Sequence, residues 1–222
     1  MATTTTSQSD INPQLVPVRK DNNTIRIEVL TNIIKMFRAR GYIKDSYSTN
    51  ISKIKKESDT DIYSIQLDSP IISDNANKNF NSNVIMIKLV HQKIVGITKI
   101  PVIKEFIDQH PNNHKIFVFE AISDKAKSSL TSIPNTEVFV ESFLMIDLIS
   151  HIDSPFYEVL SEEETKELLD SYLLKKKEIA KILTTDPVVN YFNLKRGQVI
   201  RIIRCSEQSG LSVAYRIVAK GN

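Results

Sequence analysis

An α/β domain followed by a small α+β domain with a β-hairpin is the fold class this sequence predicts, and three observations carry it. Between residues 84 and 140, apolar strand-like runs alternate with short helical runs, the order of a mostly parallel sheet. After residue 151, a helix with strong start signals precedes two strand-like runs joined by a short loop that contains Gly210. Ahead of both, a polar tail and an amphipathic stripe open the chain.

Taken in order, residues 1–23 are dominated by Thr, Ser, Gln, Asn and Pro and read as a disordered tail. Ile27, Leu30, Ile34 and Phe37 then recur at helical spacing, with Ile33 widening the stripe. Arg38 and Arg40 suit the negative end of that helix, and Gly41 is a natural left-handed terminator. Residues 44–83 read as a long polar insertion, with one strand where Ile62 to Leu67 alternate. Val84 to Val90 and Lys115 to Ala121 read as strands, and Glu137 to Val140 as a third. Between them, Pro101 to Ile107 reads as a helix with Pro in its first turn, and Asp124 to Leu130 as one capped by Ser123 or Asp124.

The second domain spans 151–222, against 24–150 for the first. Ser161 and Glu164 have capping-box spacing, Leu168, Leu169, Tyr172 and Leu173 form one apolar face, and Lys175 to Lys177 complement the helix end. Asp186 followed by Pro187 signals a second, short helix through Phe192, which Gly197 turns into a strand pair, 198–204 and 211–218.

Composition narrows the function classes. The 222 residues carry 29 basic and 26 acidic side chains, a net charge of +3 that is too balanced for a protein held to DNA by phosphate neutralisation alone. The apolar runs are too short for a membrane span, and the first residues lack a secretory pattern, so a soluble intracellular protein is expected. One cysteine, Cys205, and four histidines make a structural zinc site an unfavoured reading.

The catalytic candidates are weak. His110 and His114 have the spacing of two ligands on a helix, but Pro111 between them argues for two solvent-exposed loop histidines. His91 reads as a boundary residue after a strand. Glu164 and Lys166 have the spacing of a metal-dependent nuclease, yet Glu164 already serves the helix cap. Cys205 has Arg204 beside it and no local histidine. Five scattered glycines supply no phosphate loop. No catalytic, cofactor or metal residue is assigned.

The C-terminal run carries a specific signal. It comprises Asp186-Pro187-Val188, Tyr191-Phe192, Leu194 to Val199, Ile202-Ile203-Arg204, Ser206-Glu207, Gly210 and Tyr215-Arg216. This pattern closely resembles the C-terminal signature of RNA polymerase subunit 5, which the three eukaryotic nuclear polymerases share and whose archaeal counterpart consists of this module alone. Upstream, His151, Pro155, Val159 and Leu160 fit the family's entry into that module. Met36 to Ile43 and Ser123 to Leu130 are similar to the family's N-terminal part. The chain departs from the pattern at Cys205, Tyr157 and Asp124. Its Asn, Ile and Lys skew suggests an AT-rich genome, a protist's or a large DNA virus's.

The resemblance implies a non-catalytic structural subunit of DNA-directed RNA polymerase. Residues 151–222 would be an assembly domain docking on the largest subunit, and 24–150 a jaw domain beside the downstream DNA duplex. The implied docking residues are Asp186, Pro187, Lys195, Arg196, Gly197, Gln198, Arg204, Ser206, Glu207, Tyr215 and Arg216. Several carry a second, purely structural reading: Asp186 and Pro187 as a cap, Gly197 as a turn, Tyr215 and Val213 as core, Lys195 as a solvated charge. Ser123, Lys125 and Lys127 are the DNA-proximal candidates, holding a phosphate nonspecifically at a helix N-terminus. The expected location is the nucleus, or a virion or host cytoplasm for a viral protein. The alternative is a stand-alone nucleic-acid binder or metal-dependent nuclease reusing the module.

Overall fold

The computed structural model describes residues 20–44, 54–58, 61–71, 81–96, 101–151, 154–206, 208 and 210–221. Glu207, residues 1–19 and much of the 44–83 stretch lie outside the described residues. The first helix, α1 (Asn22–Ala39), follows Asp21 as N-cap and so takes in the last residues assigned to the tail. Its stripe is buried as expected at Leu30, Ile33, Ile34 and Phe37, while Ile27 stays exposed. Gly41 reverses the chain at φ +82°, where an L side chain would be strained.

Five strands form the first sheet: β1 (Ile54–Ser58), β2 (Ile62–Gln66), β3 (Asn81–Ile94), β4 (Asn113–Ile122) and β5 (Thr136–Val140), in that spatial order. Helices α2 (Pro101–Gln109) and α3 (Asp124–Thr131) connect β3 to β4 and β4 to β5. These two connections make parallel pairs, whereas β1–β2 and β2–β3 are antiparallel. The expected mostly parallel sheet is therefore mixed. A crossover helix is what brings two strands in parallel, and the stretch read as an insertion has none; it adds an antiparallel meander, with two strands rather than one.

Alternation along β4 builds a three-layer sandwich. Ile116 and Val118 pack with α1 against Ile65, Ile85 and Ile87, while Phe117 and Phe119 pack on the other face with Ile103 and Phe106 of α2 and Ala126 and Leu130 of α3. Phe106 and Phe117 meet edge to face at 5.2 Å between ring centroids, the arrangement that ring quadrupoles favour. Each such fully buried side chain contributes about 1.5–3 kcal/mol of transfer free energy.

Between the sheets lie α4 (Glu141–Leu144) and the entry into the second half. The second sheet contains β6 (Phe156–Val159), β7 (Ala180–Leu183), β8 (Val199–Ser206) and β9 (Gly210–Ala219), ordered β6-β8-β9-β7. The β8–β9 hairpin is as anticipated. Strands β6 and β7, four residues each, are too short to show a period.

Helix α5 (Glu162–Ser171) begins with the expected capping box: Ser161 Oγ accepts the Glu164 N–H, and the Glu164 carboxylate accepts the Ser161 N–H at 2.8 Å. It stops earlier than the periodicity suggests. Leu173 is left-handed at φ +54° and 91% exposed, so Leu173 does not continue the apolar face. The inward residues are Thr165, Leu168 and Leu169. Lys176 and Lys177 fall in a separate 3₁₀ turn, Lys176–Glu178, and Lys175 precedes it, so they do not complement α5. Among the described residues, no helix is long and apolar enough to cross a membrane.

Candidate functional site

Helix α6 (Pro187–Tyr191) and the turn after it present the C-terminal signature. Asp186 accepts the Val188 N–H at 2.8 Å, and Pro187 occupies the first turn, where a missing N–H costs nothing. Gln198 accepts the Lys195 N–H at 2.7 Å, and Gly197, at φ +91°, donates to the Val218 carbonyl at 3.0 Å. Four of the implied docking residues thus shape the turn. Lys195 and Arg196 stand exposed at its crest.

The hairpin register sorts the rest. Residues opposite one another in an antiparallel pair share a face, so Ile200 and Arg216, Ile202 and Ala214, and Arg204 and Ser212 lie on one side. Ile200, Ile202 and Val218 on that side are buried with Val189 and Leu194. Arg204, nearer the tip, is exposed. Arg216 is half-buried and donates to the Lys181 carbonyl at 3.3 Å. Ser206 is half-buried, and Cys205 is a free, exposed thiol.

The opposite face is apolar. Tyr215 packs beside Leu168 and Leu169 with Leu160, Ile179, Val199 and Ile217, and the Arg201 guanidinium lies 5.7 Å over its ring. Arg201 also donates to Glu158 at 2.8 Å, a pair exposed enough to contribute at most about 1 kcal/mol. Beyond these, Leu211 is 70% and Val213 49% exposed, so Val213 is a surface residue and not core. They continue into an apolar groove of about 320 Å³ lined by Leu168, Leu169, Tyr172, Leu174, Ile179, Val213 and Tyr215, among others. The period-two stripe Leu211, Val213, Tyr215 was the sequence signal for this surface. Where the helix stops covering it was not readable.

Ser123, Lys125 and Lys127 gather at the start of α3, as expected. Ser123 is the N-cap: its hydroxyl accepts the Ala126 N–H at 3.3 Å and donates to the Val95 carbonyl at 2.8 Å. Lys125 and Lys127 are exposed.

A buried charge centre went unanticipated. Arg40, at the end of α1, forms a bidentate pair with Glu137 of β5, Nη1 to Oε1 at 2.9 Å and Nη2 to Oε2 at 2.8 Å. Their side chains are 4% and 9% exposed. His114 completes it with Nε2 at 2.8 Å from Glu137 Oε1. This corrects the reading of His114 as a solvent-exposed loop residue: it lies in β4 and is buried, while His110 is half-buried against Phe106. Burial raises the Glu137 pKa, but the Arg40 charge and the hydrogen bonds from His114 and Arg40 outweigh it and hold the carboxyl at about 2. An ionised carboxylate only accepts, so His114 Nε2 carries the proton.

His91 lies within β3, not after it; its Nε2 accepts from Arg26 at 3.1 Å, which leaves Nδ1 to face Glu141 at 3.4 Å. Glu164 stays in its capping box at the surface. Among the described residues, no group of three or more His, Cys, Asp or Glu side chains is placed to hold a metal ion.

Comparison with known proteins bears on the C-terminal half first. Residues 146–218 match the family model described as RNA polymerase Rpb5, C-terminal domain. The chain is 29% identical over 214 residues, 93% of its length and 98% of the relative's, to DNA-directed RNA polymerase subunit 5 of Acanthamoeba polyphaga mimivirus. It is 36% identical over 128 residues, 56% of this chain and 61% of the other, to the Caenorhabditis elegans DNA-directed RNA polymerases I, II, and III subunit RPABC1. The Dictyostelium discoideum protein named as subunit rpabc1 is 28% identical over 203 residues, 86% of this chain and 95% of that one.

Proposed function

We propose that the whole chain, whose residues 146–218 match the family model described as RNA polymerase Rpb5, C-terminal domain, is a structural, non-catalytic subunit of a DNA-directed RNA polymerase. The observation that carries the reading is the match to subunit 5 of the mimivirus along nearly the full length of both chains. Relatives in both a virus and eukaryotes support a viral or nuclear polymerase as its setting.

In this reading residues 151–222 are the assembly domain and dock on the largest subunit. The hairpin offers two kinds of contact: Arg204 toward the tip, with Lys195 and Arg196 in the turn at the other end of β8, for carboxylates of the partner, and Leu211 and Val213 for apolar burial. Central apolar anchors with a charged rim are the usual composition of a stable interface. Residues 24–150 form the jaw, with Lys125 and Lys127 nearest the downstream duplex, held weakly, without sequence preference and with salt dependence.

The test is co-purification of the tagged full chain with the polymerase. Leu211→Asp with Val213→Asp, both at exposed positions, should lose the largest subunit while the isolated chain keeps its fold by circular dichroism. Full recovery of the largest subunit with this variant would sink the docking surface. Recovery of no polymerase subunit by the unaltered chain would sink the subunit reading itself.

A further inference from the structure

The buried charge centre joins more than α1 and β5. Arg40 Nε donates to the Tyr191 carbonyl at 2.7 Å and Nη2 to the Asn190 carbonyl at 3.3 Å, both at the C-terminal end of α6. Asn193, just past that helix at φ +50°, donates from Nδ2 to Glu137 Oε1 at 3.1 Å. The Tyr191 ring is buried in the core of the first sheet with Phe37, although its helix belongs to the second sheet's half of the chain. Arg40 also lies 4.9 Å over the Phe37 ring.

We infer that Arg40 and Glu137 form an ionic clasp that sets the angle between the two sheets. The physical reason lies in the shape of the group. A guanidinium has five N–H donors in a rigid plane. Here two of them grip a carboxylate held by β5, and others grip main-chain carbonyls of α6. Moving one sheet relative to the other breaks the bonds from Arg40 to the Tyr191 and Asn190 carbonyls and from Asn193 to Glu137 together, while the Arg40–Glu137 pair, held within the first half, keeps the guanidinium fixed in orientation. A lysine would keep the ion pair but not the planar grip on both sides.

The clasp also borders an open cleft of about 1280 Å³ between the sheets, lined by Arg40, Tyr42, His114, Glu137, Tyr157 and Phe192 among others. The cleft leaves room for the second sheet to swing once the clasp is released. The inference stands apart from the polymerase reading, since it concerns the free chain.

The test is a distance measurement in the full chain between spin labels on the exposed native Cys205 and on Lys127→Cys, one in each half of the molecule. Hydrogen exchange at β4 and β8 is followed in parallel. The parent should give one narrow distance. Arg40→Lys should add a second distance population while Phe117 and Ile202 amides keep their protection. Should Arg40→Lys lose protection in both sheets, Asn193→Ala decides, because it leaves the Arg40–Glu137 pair intact and removes one bond across the halves. An unchanged single distance in the variant that stays folded overturns the clasp. A mere stability role would lower protection without a new distance, and that result overturns it as well.

Discussion

Glu137→Gln is the perturbation whose size can be worked most directly. The carboxylate is 9% exposed and takes hydrogen bonds from Arg40, His114 and Asn193. A carboxamide of the same shape removes the charge and turns two N–H donors toward donors already there. Arg40 is then a buried cation without a counter-ion, and breaking a buried pair in this way costs about 3–5 kcal/mol. The lowered carboxyl pKa, which has the same Arg40 charge as its main lowering cause, leads to a figure of the same order. The carboxyl falls from 4.5 to about 2 on folding, and at about 1.4 kcal/mol for each pH unit this is about 3 kcal/mol. The sign follows from the lowered pKa: the contribution is complete above the unfolded value near 4.5 and is lost as pH falls through the folded value near 2. At neutral pH the variant should melt on the order of 10 °C lower for a chain of this size. Denaturant unfolding from neutral to strongly acidic pH should show a steeper acid loss in the parent than in the variant, the difference isolating Glu137 from other carboxylates. A melting temperature within about 2 °C of the parent's, or parallel pH profiles, would refute the claim that this pair is a buried, energetically coupled centre.

Gly197→Ala should destabilise by about 1–2 kcal/mol in denaturant unfolding, from the left-handed backbone alone, because nothing lies within 4 Å of an added Cβ. Asp186→Ala should cost about 0.5–2 kcal/mol by loss of the bond to the Val188 N–H, with Asp186→Asn recovering most of it. Lys125→Glu with Lys127→Glu should weaken binding to duplex DNA equally for unrelated sequences and flatten its salt dependence, measured by fluorescence anisotropy; unchanged affinity at low salt would remove α3 from the DNA-facing surface.

Local rules explain most of what was legible in advance. The capping box of Ser161 and Glu164, the Asp186-Pro187 helix start, the left-handed Gly41 and Gly197 and the alternation in β4 depend on residues within a few positions of one another. What misled was local evidence applied to non-local outcomes. Pro111 near His114 suggested a loop, yet His114 opens a central strand and meets Glu137 across the sheet. The apolar run after Leu169 suggested a longer helix face, yet Leu173 reverses the chain. Val213 has the composition of core, but it lies beyond the end of the helix that would cover it.

By itself the sequence determined the order of the longer elements, several of their caps and turns, and the C-terminal signature that points to the polymerase family, because those depend on short-range periodicity and on residue types at fixed spacing. Only the tertiary structure decided which charges would meet. Arg40 and Glu137 are separated by 97 positions, and Arg40 and Tyr191 by 151. Their pairing depends on how α1, β5 and α6 pack around one buried point, a relation that no local pattern along the chain encodes.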